Sequence, residues 1–457
     1  MSFAPPRLRA ALERSLREAG AAPAGYCVAL SGGLDSTVLL AALAACDGGC
    51  GQPLRAIHVD HGLHPDSARW SAHCRCLAEG LGVRCENVAV DAQPAAGASP
   101  EAAARAARYA ALAHRLGPGE VLLTAHHGDD QLETVLLQWL RGGGLRAVAG
   151  MRPVVPFAGG WLARPLLGFK RTELAKWAAV QGLSWLEDPS NADLRFDRNY
   201  LRLEVLPRLR ARWPAAATTV GRVADQAAVA LEVAAELSAA DLATLAEGET
   251  LVLEPLRCLP VGRQRLALRA WLRSRGCPVP SAATLEALRR DMLRAEDDRV
   301  PVTRWPGGEV RRYRGRLYET SSAVPAGWRA GRWVPGTPFD LGPDGRLELV
   351  AATGVGLSRA RLAGELEVVQ RPTGGVFKPA GHACRRELRK WLQESGVLPW
   401  RREALPCIRC GGDIVAIGDL AYGAALAAAP DEPSWRVVWH GRPTLTEAEA
   451  RAAGGRR

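Results

Sequence analysis

Six consecutive residues, Ser31-Gly32-Gly33-Leu34-Asp35-Ser36, hold the densest chemistry in this 457-residue chain. Paired glycines reach backbone angles closed to other residues and let peptide N–H groups approach a ligand without a side chain in the way. The apolar residues 26–30 before them and 38–40 after them read as a strand entering the loop and a helix leaving it. The free N–H groups and positive dipole end of that helix complete a cradle for a phosphate or pyrophosphate. A Walker loop would need a longer glycine spacing ending in a lysine, which is missing, so a different nucleotide chemistry is implied. Three further sets stand out. Asp60 and His61 follow a second strand-like run, residues 54–60, at the carboxyl edge where open α/β sheets gather ligands. Arg105 and Arg108 lie three apart and share a helical face, as a solvated basic face would also do. Asp130, Glu133 and Thr134 fall on one face of a helix near its start, where carboxylates hold a metal ion or an ammonium group. For Asp129 and Asp130, service to the helix dipole is the plainer alternative.

The elements that must position these residues alternate between strand and helix periods from 24 to 185, which predicts an α/β fold with a doubly wound, mostly parallel sheet. A helix over 7–20 precedes the first strand, residues 83–90 and 121–126 supply further strands, Ser99-Pro100 opens a helix, and 131–140 forms another. Trp213-Pro214 closes this first domain, and an Ala-rich helical stretch, 215–248, leads away from it. Arginine-bearing helices over 260–275 and 281–294 and a strand pair, 309–312 with 316–319, make a mixed second domain. Residues 321–345 are rich in Pro and Gly and mark a boundary. Beyond them a small α+β domain carries a basic helix over 384–395, with Arg385, Arg386, Arg389 and Lys390. The expected division is 1–214, 215–335, 336–440 and a tail, 441–457.

Composition narrows the class. The net charge of +11 and pI of 9.4 suit a large anionic partner such as nucleic acid. No apolar run approaches the roughly 20 residues of a membrane span, and the first residues lack a secretory signal, so a cytoplasmic protein is expected. Eleven cysteines in such a chain read as free thiols, and the pair Cys407 and Cys410 has no second pair beside it to complete a zinc site.

The loop 31–36 resembles the SGGxDS signature of the PP-loop ATP pyrophosphatases, which split ATP into AMP and pyrophosphate while adenylating an acceptor. The string from His126 to Thr134 is similar to the HxxDDQxET signature of the tRNA(Ile)-lysidine synthases. So are Val59 to Leu63, the RPLL element Arg164-Pro165-Leu166-Leu167, the segment from Glu187 to Arg202, and the helix and proline-tryptophan turn from Trp391 to Arg401. Cys407 and Cys410 depart from that family, which has apolar residues there. The resemblance implies ATP-dependent ligation of free lysine to C2 of the wobble cytidine of tRNA(Ile) with anticodon CAU, through an adenylated cytidine. AMP and pyrophosphate leave, and codon reading changes from AUG to AUA. It implies ATP and Mg2+ as cofactors, without assigning metal ligands, and leaves a homodimer open. It further implies ATP binding by Ser31, Gly32, Gly33, Leu34, Asp35, Ser36, Asp60 and His61, and catalytic roles for Asp35 and Arg105. Asp130 and Glu133 would take the lysine ammonium, and Arg198, Arg202, Arg385, Arg386, Arg389 and Lys390 phosphate or tRNA. A PP-loop tRNA sulfur transferase, which would need reactive cysteines, and a small-molecule synthetase of the same superfamily are the alternatives.

Overall fold

The computed structural model describes residues 3–46, 51–60, 62, 67–91, 100–295, 300–320, 330–362, 364–372, 374–402 and 405–441. His61, Ser99 and the tail beyond 441 lie outside these residues. The chain forms two compact units, Met1–Glu236 and Leu237–Arg457.

The first unit is built on β1 (Gly25–Ala29), β2 (Leu54–Asp60), β3 (Arg84–Ala89), β4 (Glu120–Leu123), β5 (Val154–Phe157) and β6 (Gly160–Ala163), in the order β3-β2-β1-β4-β6-β5. All neighbours pair in parallel except the hairpin of β5 on β6. Alternation along a strand sends successive side chains to opposite faces. Tyr26 and Val28 therefore pack with α1 (Pro5–Glu18), α2 (Leu34–Ala44) and α3 (Ser67–Gly80). Cys27, between them, packs on the other face with Leu112 of α4 (Pro100–Arg115), Leu122 and Leu162. The sheet is covered on both faces, as the alternating pattern predicts. The strand order reverses between β1 and β4, and a crevice opens at their carboxyl ends.

From β4 the chain passes through residues 124–127 into α5 (Gly128–Leu140). Gly128 suits the close approach there: a Cβ would stand 3.1 Å from the Phe169 carbonyl oxygen and 3.2 Å from that of Leu167, a tight fit against two backbone atoms. The fourth strand ends at Leu123, short of the predicted His126, because residues 124–127 turn away to cap α5.

The second unit opens with a five-stranded antiparallel sheet against helices Leu253–Cys258, Val261–Ser274 and Ala282–Arg294, around buried Trp271. Two further small sheets share a core with Trp333, Leu347, Val368, Ile408 and Val437. The basic helix is shorter than predicted: it spans Leu388–Glu394, while Arg386–Glu387 pairs in extended form with Val376–Phe377. Buried Leu388 and Leu392 set the helical face, and Arg385 and Arg386 fall outside it. Cys407 and Cys410 lie on one strand at odd spacing, hence on opposite faces, and burial pushes the Cys407 thiol up to about 12. No helix among the described residues is long and apolar enough to cross a membrane.

Candidate active site

The glycine loop takes its shape from its own hydroxyls. Ser36 Oγ, 4% exposed, donates to the Gly33 carbonyl (3.1 Å), accepts from the Ser31 N–H (3.2 Å) and stands 3.0 Å from Ser31 Oγ. Gly32 has φ +81°, and a Cβ there would stand 2.9 Å from Cys74 Sγ. The Leu186 N–H closes the loop's outer side on the Gly32 carbonyl (2.9 Å). Beneath it, buried His58 of β2 sets Nδ1 2.9 Å from the Leu30 carbonyl oxygen and 3.3 Å from Cys74 Sγ.

The loop forms one wall of a cleft in which Ser31, Gly33 and Asp35 face Arg108 and Tyr109 of α4, with Thr124 to His126 at the floor. Asp35 sits in the first turn of α2, where the dipole favours its charge. Its Oδ1 is buried without a hydrogen bond among the described residues, with Arg171 Nε 3.8 Å away, and its Oδ2 lies 3.6 Å from His127 Nε2. A carboxylate oxygen with no hydrogen bond of its own beside such a loop fits a hard cation such as Mg2+, which takes one or two carboxylates together with substrate phosphates. The described residues hold no cluster of three or more His, Cys, Asp or Glu suited to a metal by themselves.

His127, 2% exposed, joins the loop to α5. Its Nδ1 accepts the Asp130 N–H (3.3 Å) while Asp130 Oδ2 accepts the His127 N–H (3.0 Å), a reciprocal cap on the helix start. With Nδ1 accepting, Nε2 carries the ring proton and faces Asp130 Oδ2 at 3.4 Å as well as Asp35. Burial pulls its pKa down, but hydrogen bonding to Asp35 and the charges of Asp130, Asp35 and Asp129 hold it above the ordinary value. Neighbouring His126 behaves oppositely. Burial, with the charges of Arg164, Arg105 and Arg198, pushes it down to about 3 against the opposing pull of Asp130, so it is neutral, with Nδ1 3.0 Å from Thr124 Oγ1.

Asp130 and Glu133 share a face as predicted, but that face is occupied. Arg198 Nε and Arg202 Nη2 donate to Glu133 Oε2 (both 2.8 Å), and Arg202 Nε donates to Glu133 Oε1 (2.7 Å). Arg198 and Arg202 also donate to Asp130 Oδ1 (2.9 and 3.3 Å). Glu133 is 1% exposed, and two guanidinium forks satisfy both its oxygens. Burial opposes the charge on Asp130, yet His127 and Arg198 hold its carboxyl below the ordinary range.

Sequence spacing did not separate the two arginines of α4. Arg108 lines the cleft, and burial lowers its pKa. Arg105 is exposed and stands over the Tyr109 ring, 4.9 Å from its centroid, with Nη2 3.5 Å from the hydroxyl. Asp60 is taken up locally: its carboxylate accepts from the Gly62 N–H (2.9 Å) and Ser71 Oγ (3.3 Å). In the other unit, Arg385 pairs with Asp413 (3.5 Å) and Arg386 with Glu394 (2.8 Å), while Arg389 and Lys390 are exposed. His58 and His127 were missed from the sequence. The His127-x-x-Asp130 capping spacing was the signal for the second; nothing local marks the first.

The PP-loop domain family matches residues 8–209, the TilS substrate binding domain 251–318 and the TilS substrate C-terminal domain 366–439. The tRNA(Ile)-lysidine synthase of Methylococcus capsulatus is 42% identical over 421 residues, covering 91% of this chain and 96% of that relative. The tRNA(Ile)-lysidine synthase of Alkalilimnicola ehrlichii is 43% identical, covering 92% and 94%. Among solved structures, the U34-tRNA thiolase NcsA of Methanococcus maripaludis is 15% identical with a TM-score of 0.40, over 48% of this chain and 76% of that one.

Proposed function

The chain belongs to the tRNA(Ile)-lysidine synthase family, and from that premise we propose how its residues carry out lysidine formation on tRNA(Ile) with ATP. The C2 oxygen of cytosine is a poor leaving group. Attack of that oxygen on the α-phosphorus of ATP releases pyrophosphate and leaves the oxygen as an AMP ester. The amine of free lysine then forms the C2–N bond, the C2–O bond breaks, and AMP departs.

The backbone N–H groups of loop 31–36 hold the triphosphate, with the α2 dipole behind them. A Mg2+ ion at Asp35 would neutralise the departing pyrophosphate. Arg108 faces the loop across the cleft and stabilises charge on the α-phosphate, and Arg105, stacked on Tyr109, supports it from outside. Neutral His126 offers a hydrogen-bond acceptor on the cleft floor without adding positive charge. Asp130 and Glu133 receive the lysine ammonium. With Glu133's oxygens and Asp130 Oδ1 already engaged by arginine, lysine must replace a guanidinium contact there, and Arg198 or Arg202 is released toward phosphate or tRNA.

The partner is tRNA(Ile) with anticodon CAU, whose loop lets the wobble cytidine leave its stack at low cost. Residues 215–335 and 336–440 form two tRNA-binding domains beyond the catalytic domain 1–214, with Arg385, Arg386, Arg389 and Lys390 on the tRNA backbone and 441–457 as a tail. Use of tRNA and ATP supports a cytoplasmic setting.

The observation that carries this reading is the convergence of the phosphate loop and the Asp130–Glu133 face through His127. Incubation with ATP and tRNA without lysine tests it: adenylated tRNA and pyrophosphate should accumulate, and lysine should discharge them to AMP. No observation favours sulfur transfer. Burial pushes the Cys27 and Cys74 thiols up to about 12, far from the thiolate range.

A further inference from the structure

Residues 197–212 form one helical run whose two sides do different things. The inner side carries Arg198 and Arg202 to the carboxylates of α5. Phe196, the extended residue that caps the run, accepts the Tyr200 N–H on its carbonyl (3.0 Å), and Tyr200 and Leu203 follow where the run passes from an α to a π turn, so three large apolar side chains come together as one stripe. These residues are 38%, 51% and 44% exposed. The last turn of α5 adds Trp139, 64% exposed, and Arg141 just after it bonds Asp197 (2.9 Å), which brings the two apolar surfaces to one edge. A soluble domain rarely leaves such a patch open without a partner.

The charge around the stripe says which partner. Of the six arginines between Asp193 and Arg212, Arg198, Arg202 and Arg210 turn in to carboxylates of α5, while Arg195 and Arg208, paired with Asp193 (2.7 Å) and Glu204 (3.7 Å), stay 88% and 84% exposed and Arg212 is exposed as well. Aromatic faces interleaved with arginine are what single-stranded nucleic acid requires, because every base has a face to stack and every phosphate a charge to meet. The stripe is continuous with the catalytic side of the unit through Arg198 and Arg202. When the target cytidine leaves the loop, its neighbours lose a stacking partner.

We propose that Phe196 and Tyr200, edged by Trp139, form a stacking platform for the anticodon-loop bases that flank the extruded cytidine. The inference rests on the lysidine-forming reading above. The platform replaces the stacking that extrusion breaks, and the arginines around it follow the backbone.

The test uses the full chain and a tRNA(Ile) carrying 2-aminopurine beside the target cytidine. Binding of the unaltered enzyme should quench the fluorophore by stacking. Phe196→Ala with Tyr200→Ala should abolish the quench and weaken tRNA binding by about ten- to a hundredfold, the loss expected for one base stack. Phe196→Trp with Tyr200→Phe should retain both, and the half-saturating ATP and lysine concentrations should hold in all variants. Unchanged quench and affinity in the double alanine variant overturn the proposal. So does loss of a dimer on sedimentation with tRNA affinity intact, which would give the stripe to a second copy of the chain. Failure of the unaltered enzyme to form lysidine in the same reaction would strike the underlying reading instead.

Discussion

At the scale of single residues, charge placement separates roles that spacing leaves merged. Asp35 keeps an oxygen without a hydrogen bond at the glycine loop, its one ion-pair contact a distant Arg171 Nε at 3.8 Å, whereas Asp130 and Glu133 are bound up with arginine. Asp35→Ala should therefore lower the rate of pyrophosphate release at least a hundredfold while tRNA affinity holds, as read by release and filter-binding assays. Normal release would remove Asp35 from the chemistry. For the proposed lysine pocket, Glu133→Gln and Asp130→Asn should each raise the half-saturating lysine concentration about ten- to a hundredfold, since a charge-assisted bond contributes roughly 1.5 to 3 kcal/mol. Adenylated tRNA should still form. Because Glu133 also anchors two arginines, Glu133→Gln should cost about 1–3 kcal/mol of stability, below the usual cost of breaking a fully buried pair because Arg198 and Arg202 stay about a third exposed. An unchanged lysine requirement with lowered stability would make Glu133 a clamp for the arginines and nothing more. The residue types at the site were legible in the sequence. Which of Arg105 and Arg108 enters the cleft was not, because a helical face three residues wide includes both and only tertiary packing chooses.

Elements show why the loop tolerates little change. Gly32 combines a positive φ with contact to Cys74, so Gly32→Ala should raise the half-saturating ATP concentration by tenfold or more, and adding Cys74→Ala should recover part of that loss by removing the collision but not the backbone strain. Equal defects in both variants would contradict the contact argument. The floor of the cleft supplies a pH dependence. The folded pKa of His126 is about 3 against an ordinary 6.5, so the unfolded chain binds this proton first. Its contribution to stability is complete above pH 6.5 and is lost as pH falls from 6.5 toward 3. Melting temperature should thus fall less steeply with acid in His126→Gln than in the unaltered enzyme, and parallel curves would contradict the assignment. Elements of the first unit were legible because long strand and helix periods alternate there. The second unit was less so: many of its strands have two to four residues, too few to show a period, and the extended Arg386–Glu387 pair hid inside an apparently helical pattern.

For the whole molecule, a basic chain with a sheltered cleft and exposed arginines points to a large anion held over a wide surface. Replacing Arg385, Arg386, Arg389 and Lys390 by Gln should weaken tRNA binding and make its dependence on salt shallower, since each lost phosphate contact releases fewer counterions. ATP affinity should not move; an unaltered salt slope would return these residues to an ordinary solvated face. The central claim is that one chain activates a cytidine with ATP and closes the reaction with lysine. Incubation with ATP, magnesium, labelled lysine and tRNA(Ile) bearing a CAU anticodon, followed by nucleoside analysis, tests it most directly. The account predicts label in lysidine at the wobble position, with one AMP and one pyrophosphate per lysidine and none formed when the wobble base is changed. Unlabelled tRNA after ATP cleavage, or a thiolated nucleoside that depends on a sulfur donor, would contradict it.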